Sequence, residues 1–138
     1  MRYMIIVKAT KDSEAAARPP ETLFSAMADY HEDLAKAGVL LDASGLQPTS
    51  TGFRVKYDGA KRTIVDGPFT ESKELIAGYT LIQVKSRDEA LEWARRFPNP
   101  AVDGKEAEIE VRPLYELEDF GESEALDRFR AIGVGAKA

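Results

Sequence analysis

The run Tyr3-Met4-Ile5-Ile6-Val7 near the start constrains the fold most, because apolar side chains fall on both of its faces. In an extended chain Tyr3, Ile5 and Val7 point one way and Met4 and Ile6 the other. A strand apolar on both sides needs cover on both, so this segment is expected at the centre of a sheet. About five apolar residues are too few for a membrane span or a secretory leader, and a cytoplasmic protein with no membrane association is expected.

The rest of the chain alternates between the two periodicities of regular structure. Residues 9–20 are polar and small and end in Pro19-Pro20; a helix from about Glu21 to Ala37 follows, with Gly38 as its stop signal. Leu23, Phe24, Met27, His31 and Leu34 recur at spacings of three and four along it, an apolar stripe interrupted by one imidazole. Val39-Leu40-Leu41 opens a second strand that ends around Gly45 to Pro48. Phe53, Val55 and Tyr57 alternate with Arg54 and Lys56, and Asp58-Gly59 supplies a tight turn before Thr63-Ile64-Val65, the pattern of a hairpin. Ile76 to Val84 is a further strand, in which Gly78 permits a bulge or a close backbone approach. Ser86 with Glu89 reads as a capping box for a second helix bearing Ala90, Leu91, Ala94 and Phe97, which stops before Pro98-Asn99-Pro100. Glu108 to Pro113 alternates as a last strand whose acidic face suits an edge.

Strand, helix, strand, hairpin, strand, helix, strand is an α+β order: two split β-α-β units on the ferredoxin-like plan, with an inserted β-hairpin. Helices then cover one sheet face, and the apolar character of Met4 and Ile6 says the other is not wet; a homodimer through the open sheet face is expected. Residues 1–115 form this domain. Residues 116–138 form a C-terminal helical extension in which Ser123 caps a short helix carrying Leu126 and Phe129, ended by Gly133, and which docks on its own body or on a partner subunit.

Charge and composition remove several classes of function. A net charge of −5, from 19 basic and 24 acidic side chains, repels phosphate backbones, so nucleic-acid binding is not expected. The chain has no cysteine and a single histidine, which disfavours a metal site, and no cofactor is expected. Gly-rich phosphate loops, GxSxG elbows and HExxH helices are absent.

Chemistry concentrates in two places. Asp66-Gly67-Pro68-Phe69, continuing through Thr70-Glu71-Ser72-Lys73-Glu74, reads either as a turn in which Asp caps, Gly and Pro set the backbone and Phe packs, or as a carboxylate held rigidly at a strand end for acid-base work. His31 reads either as a hydrogen-bonded core or rim residue, or as a proton shuttle oriented by a carboxylate such as Asp42 or Asp66. In the functional reading His31 is general base or acid, Asp66 its orienter, and Tyr79 a donor to developing oxyanion charge. Met27, Asp42, Phe69 and Lys73 are then expected around a bound small molecule. The separation of His31 from Asp66 decides whether the dyad exists.

The Tyr3-Met4-Ile5-Ile6 start, Lys36-Ala37-Gly38-Val39-Leu40, Gly45-Leu46-Gln47-Pro48, Asp66-Gly67-Pro68-Phe69-Thr70-Glu71-Ser72-Lys73-Glu74, Gly78-Tyr79, Glu89-Ala90-Leu91-Glu92-Trp93-Ala94 and Glu110-Val111-Arg112-Pro113 occur in an order that resembles the DGPF-motif branch of the YCII-related family. The resemblance spans residues 1 to about 115 and implies a dimeric alpha-beta barrel. That fold is shared with small monooxygenases and lactone isomerases; the family includes a dehalogenase-like activity, and its DGPF branch is often encoded beside extracytoplasmic-function sigma factors. It also implies a helix histidine paired with an aspartate, but alignment through Gly38 puts that histidine at Met27, one turn before His31. Two functions are therefore carried forward. One is a small cofactor-independent enzyme using His/Asp acid-base chemistry on a small carbonyl or hydroxyaromatic compound; the other is a non-catalytic ligand-binding or regulatory module associated with a sigma factor.

Overall fold

The computed structural model describes residues 1–70 and 72–135. In chain order its elements are β1 (Arg2–Lys8), α1 (Lys11–Glu14), α2 (Glu21–Lys36), β2 (Leu40–Gly45), β3 (Phe53–Asp58), β4 (Lys61–Asp66), β5 (Ile76–Gln83), α3 (Arg87–Arg96), β6 (Ile109–Pro113) and α4 (Glu124–Ala131), with short 3-10 turns between several of them. Four strands form an antiparallel sheet in the order β2-β5-β1-β6, while β3 and β4 form a separate two-stranded sheet. Removing the hairpin leaves the ferredoxin-like split β-α-β order, with β1 central and the acidic β6 at an edge as its pattern requires.

Parity along the strands sorts the sheet into two faces. Tyr3 and Ile5 of β1 and Thr80 and Ile82 of β5 are buried together with Tyr30 and Leu34 of α2 and Ala90 and Trp93 of α3. The apolar residues among them belong to one hydrophobic core cluster. The other face carries Met4, Ile6, Tyr79 and Leu81, and neither α2 nor α3 packs there. At its Arg2 end the guanidinium makes a bidentate pair with Glu116, with Nε to Oε1 at 2.9 Å, which ties the start of the C-terminal extension to the sheet.

The apolar stripe expected on α2 divides in two. Tyr30 and Leu34 point into the core, whereas Phe24, Met27 and His31, a little further round the helix, line a cavity. The Tyr30 hydroxyl donates to the Trp93 carbonyl at 2.8 Å, so the aromatic contact between α2 and α3 also carries a polar lock. Burial pushes the Tyr30 phenol up to about 12 from its ordinary value of 10.0. A phenol whose folded value lies above its unfolded one contributes stability that is present below pH 10.0 and lost as pH rises through about 12. Wild type is accordingly expected to lose more stability than Tyr30→Phe across that interval in alkaline denaturation. At neutral pH the same variant, which strands the Trp93 carbonyl, melts with a cost of about 1 kcal/mol.

Local detail adds to these expectations and corrects one of them. Within residues 9–20, Thr10 and Ser13 form a reciprocal capping box that starts α1, a helix of 4 residues and too short to show a period. At α3 the Ser86 hydroxyl accepts from the Glu89 N–H, but the Glu89 carboxylate reaches past the cap to the Lys85 N–H at 2.8 Å, so the box is not closed on Ser86 itself. The C-terminal helix α4 forms where Ser123 caps it, yet buries no residue, and Phe129 and Ile132 stand exposed.

The segment after β4 is a structural staple. Gly67 N–H donates to the Gly52 carbonyl at 2.9 Å, and Phe69 N–H to the Thr49 hydroxyl oxygen at 3.1 Å. Thr49 in turn donates through its backbone N–H and its hydroxyl to the two carboxylate oxygens of Glu14 on α1. The Arg54 guanidinium lies 3.7 Å above the Phe69 ring, a cation-π contact from hairpin to staple. Glu71, part of the polar run expected here, lies outside the described residues.

Candidate functional site

Between α2 and the sheet lies a cavity of about 490 Å³, within the range of small-molecule sites. Phe24, Met27, Ala28 and His31 form its helical wall, and β2 and β5 form its floor, where Gly45 pairs with Gly78. The floor is open because neither glycine has a side chain. A Cβ on Gly78 would stand 2.9 Å from the Ser44 carbonyl oxygen, so close approach of β2 requires the glycine there.

His31 and Thr80 bring the polar chemistry to this open, mostly apolar pocket. The His31 Nδ1 is 2.7 Å from the Met27 carbonyl oxygen, and its Nε2 is 2.8 Å from the Thr80 hydroxyl oxygen. A carbonyl only accepts, which assigns the proton to Nδ1 and leaves Nε2 of the neutral ring as the basic atom, accepting from the Thr80 hydroxyl. Tyr30 at 5.4 Å and Phe97 at 6.3 Å, both edge-on, fix the plane of the imidazole. The ring is half-buried, whereas Thr80 is 2% exposed. With one nitrogen on a carbonyl and the other on a hydroxyl, the imidazole is held in a single orientation.

Of the other residues singled out from the sequence, Met27 and Tyr79 line the cavity, whereas Asp42, Asp66, Phe69 and Lys73 do not. Neither ring nitrogen of His31 bonds Asp66, which sits exposed at the end of β4; the partners of the ring are the Met27 carbonyl and the Thr80 hydroxyl. Tyr79 and Asp42 do meet, the phenol donating to the Asp42 carboxylate at 3.0 Å, but on the opposite face of the sheet from Thr80 and His31. That bond, followed by the negative charge of Asp42, holds the Tyr79 phenol above its usual range. Phe69 lies under Arg54 and Lys73 is exposed; neither lines the cavity. Met27 does line it, and contributes its carbonyl to the histidine as well. Thr80 was not singled out from the sequence. Its signal was a hydroxyl at an inward-facing position of β5, between Gly78 and Ile82.

Among the described residues no group of three or more His, Asp or Glu is placed to hold a metal ion, and no helix is long and apolar enough to cross a membrane.

The sheet order and the cavity beneath α2 define a ferredoxin-like α+β protein with a single-histidine pocket on its helical face. Residues 1–116 match the YCII-related domain, and the chain belongs to that family. Protein R00369 of Rhizobium meliloti (strain 1021) is 37% identical over 79 residues, a match covering 57% of this chain and 62% of that protein's length. A solved structure of 5-chloro-2-hydroxyhydroquinone dehydrochlorinase (TftG) from Burkholderia phenoliruptrix AC1100, in complex with 2,5-dihydroxybenzoquinone, is similar over 84% of this chain and 95% of that one. Its sequence identity is 14% and its TM-score 0.45.

Proposed function

We propose that the protein is a small enzyme that moves a proton on a small carbonyl or hydroxyaromatic compound bound between α2 and the sheet, with His31 as the base. The observation that carries this reading is the Met27 carbonyl–His31–Thr80 chain inside an otherwise apolar cavity. The Thr80 hydroxyl passes its proton to Nε2 while taking the acidic proton of the ligand, and the resulting anion is held beside the imidazolium in a low-dielectric site. The apolar walls suit an aromatic ring and would not solvate a multiply charged metabolite. A second copy over the open sheet face belongs to this reading, supported by half-buried Met4, Tyr79 and Leu81 on a face without α2 or α3.

4-Nitrophenol, whose anion absorbs visible light, tests the site directly. Wild type is expected to bind it and shift its spectrum toward the phenolate. Binding with no such shift, or a shift unchanged in His31→Phe, contradicts the base assignment. The alternative of a sensor that binds without turnover is favoured by the exposed Phe120, Phe129 and Ile132 of the C-terminal extension, which give a partner a surface to engage. Turnover of hydroxyaromatic or carbonyl compounds that bind separates the two.

A further inference from the structure

The hairpin of β3 and β4 forms a two-stranded sheet of its own, and its side chains are sorted by the register. Directly paired residues share a face, so Phe53 with Asp66, Val55 with Ile64, and Tyr57 with Arg62 lie on one side. On that side Phe53, Tyr57 and Ile64 are 65%, 67% and 68% exposed. Three side chains of this size, two-thirds exposed, present roughly 400 Å² of mainly apolar surface, as much as the largest patch on a typical monomer. An isolated two-stranded ribbon is marginal in water without cover on its apolar face.

The charges on this face lie at its two ends. Arg62 sits at the tip beside Tyr57, with its guanidinium 4.9 Å from that ring, and Asp66 sits at the root beside Phe53. Suppose two such faces stack about 10 Å apart, related by a two-fold axis that runs across the strands. The tip of one arm then lies over the root of the other. Tyr57 meets the partner's Phe53, Ile64 meets the partner's Ile64, Val55 meets the partner's Val55, and Arg62 meets the partner's Asp66. Symmetry makes each unlike pair twice. The face is its own complement in shape of pattern and in charge.

We infer that the β3-β4 arm is a self-association surface whose occupant is the same arm of a second copy, packed antiparallel. It is a contact separate from the open sheet face and does not depend on the chemistry of the cavity. The arms bury roughly 800 Å² over both partners, below the size of standard stable interfaces, so the association is weak on its own and concentration-dependent.

Sedimentation velocity of the full chain across a wide concentration range tests this, with melting curves to confirm that each variant is folded. Wild type is expected to show a reversible association step beyond any dimer formed through the sheet face. Ile64→Lys, which sets two ammonium groups against each other on the axis at a solvent-exposed site, is expected to remove that step. Arg62→Asp and Asp66→Arg alone each weaken it about tenfold, and the double reversal restores it to within about threefold of wild type. A step beyond any sheet-face dimer that survives Ile64→Lys places that contact elsewhere and overturns the inference. So does a chain with no step beyond that dimer at any concentration, which leaves the stripe to another partner. A double reversal that fails to restore association overturns the antiparallel register.

Discussion

Gly67→Ala is expected to lower the melting temperature by about 10 °C, corresponding to a loss of about 3 kcal/mol. A Cβ at this position would stand 1.8 Å from the Thr49 carbonyl oxygen and 2.6 Å from its carbon. Both atoms are backbone, so no rotamer relieves the overlap; the 49–52 turn or the root of the hairpin has to move. Moving either one strains the bonds from Gly67 to Gly52, from Phe69 to Thr49 and from Thr49 to Glu14 together. The control is Gly52→Ala in the same turn. There the nearest atom lies at 3.7 Å and φ is −109°, so the melting temperature is expected to stay within about 2 °C of wild type. Equal losses in the two variants would mean that the segment after β4 is not held by close backbone packing.

His31→Phe carries the largest functional effect. Phenylalanine preserves the edge-on ring contacts to Tyr30 and Phe97 but leaves the buried Thr80 hydroxyl without its imidazole partner, so stability falls by about 1–2 kcal/mol, while both nitrogens are lost. Proton abstraction by the site is expected to fall by at least about a hundredfold, the scale of one positioned acid-base group. Thr80→Val and Thr80→Ser then separate the hydroxyl from its bulk. The valine removes the donor to Nε2 at nearly constant volume and is expected to lose most of the activity, whereas the serine retains it. A valine variant as active as wild type would show that protons reach Nε2 without the hydroxyl, and a serine variant as poor as valine would show that the methyl group matters instead.

Much of the fold was legible because it rests on local period. Alternation identified β1, the hairpin and β5, and the spacing of three and four identified α2 and α3. The two apolar faces of β1 placed it at the centre of the sheet, where β5 and β6 flank it. α1 was not legible, since four residues carry no period and its start depends on a Thr10–Ser13 bond that polar loops also make. The site was legible in part. His31 and Met27 were found because they share a helix face, but the partner of the imidazole is 49 residues away in sequence, across a packing contact that spacing does not encode. Carboxylates were the obvious candidates on chemical grounds, and a backbone carbonyl four residues earlier took that place. The separation of Tyr79 from His31 was available in principle. Ile82 reads as core, parity puts Thr80 beside it, and Tyr79 must then face the other way.

The sole histidine of the chain makes one measurement decisive, since a ¹⁵N correlation spectrum of the imidazole side chain contains a single set of signals. The neutral ring is predicted to carry its proton on Nδ1, with Nε2 unprotonated, and the Nε2 resonance is predicted to move when 4-nitrophenol is added. A proton found on Nε2 of the neutral ring, or an Nε2 signal that stays in place while 4-nitrophenol binds, would contradict the assignment of His31 as the base of this cavity.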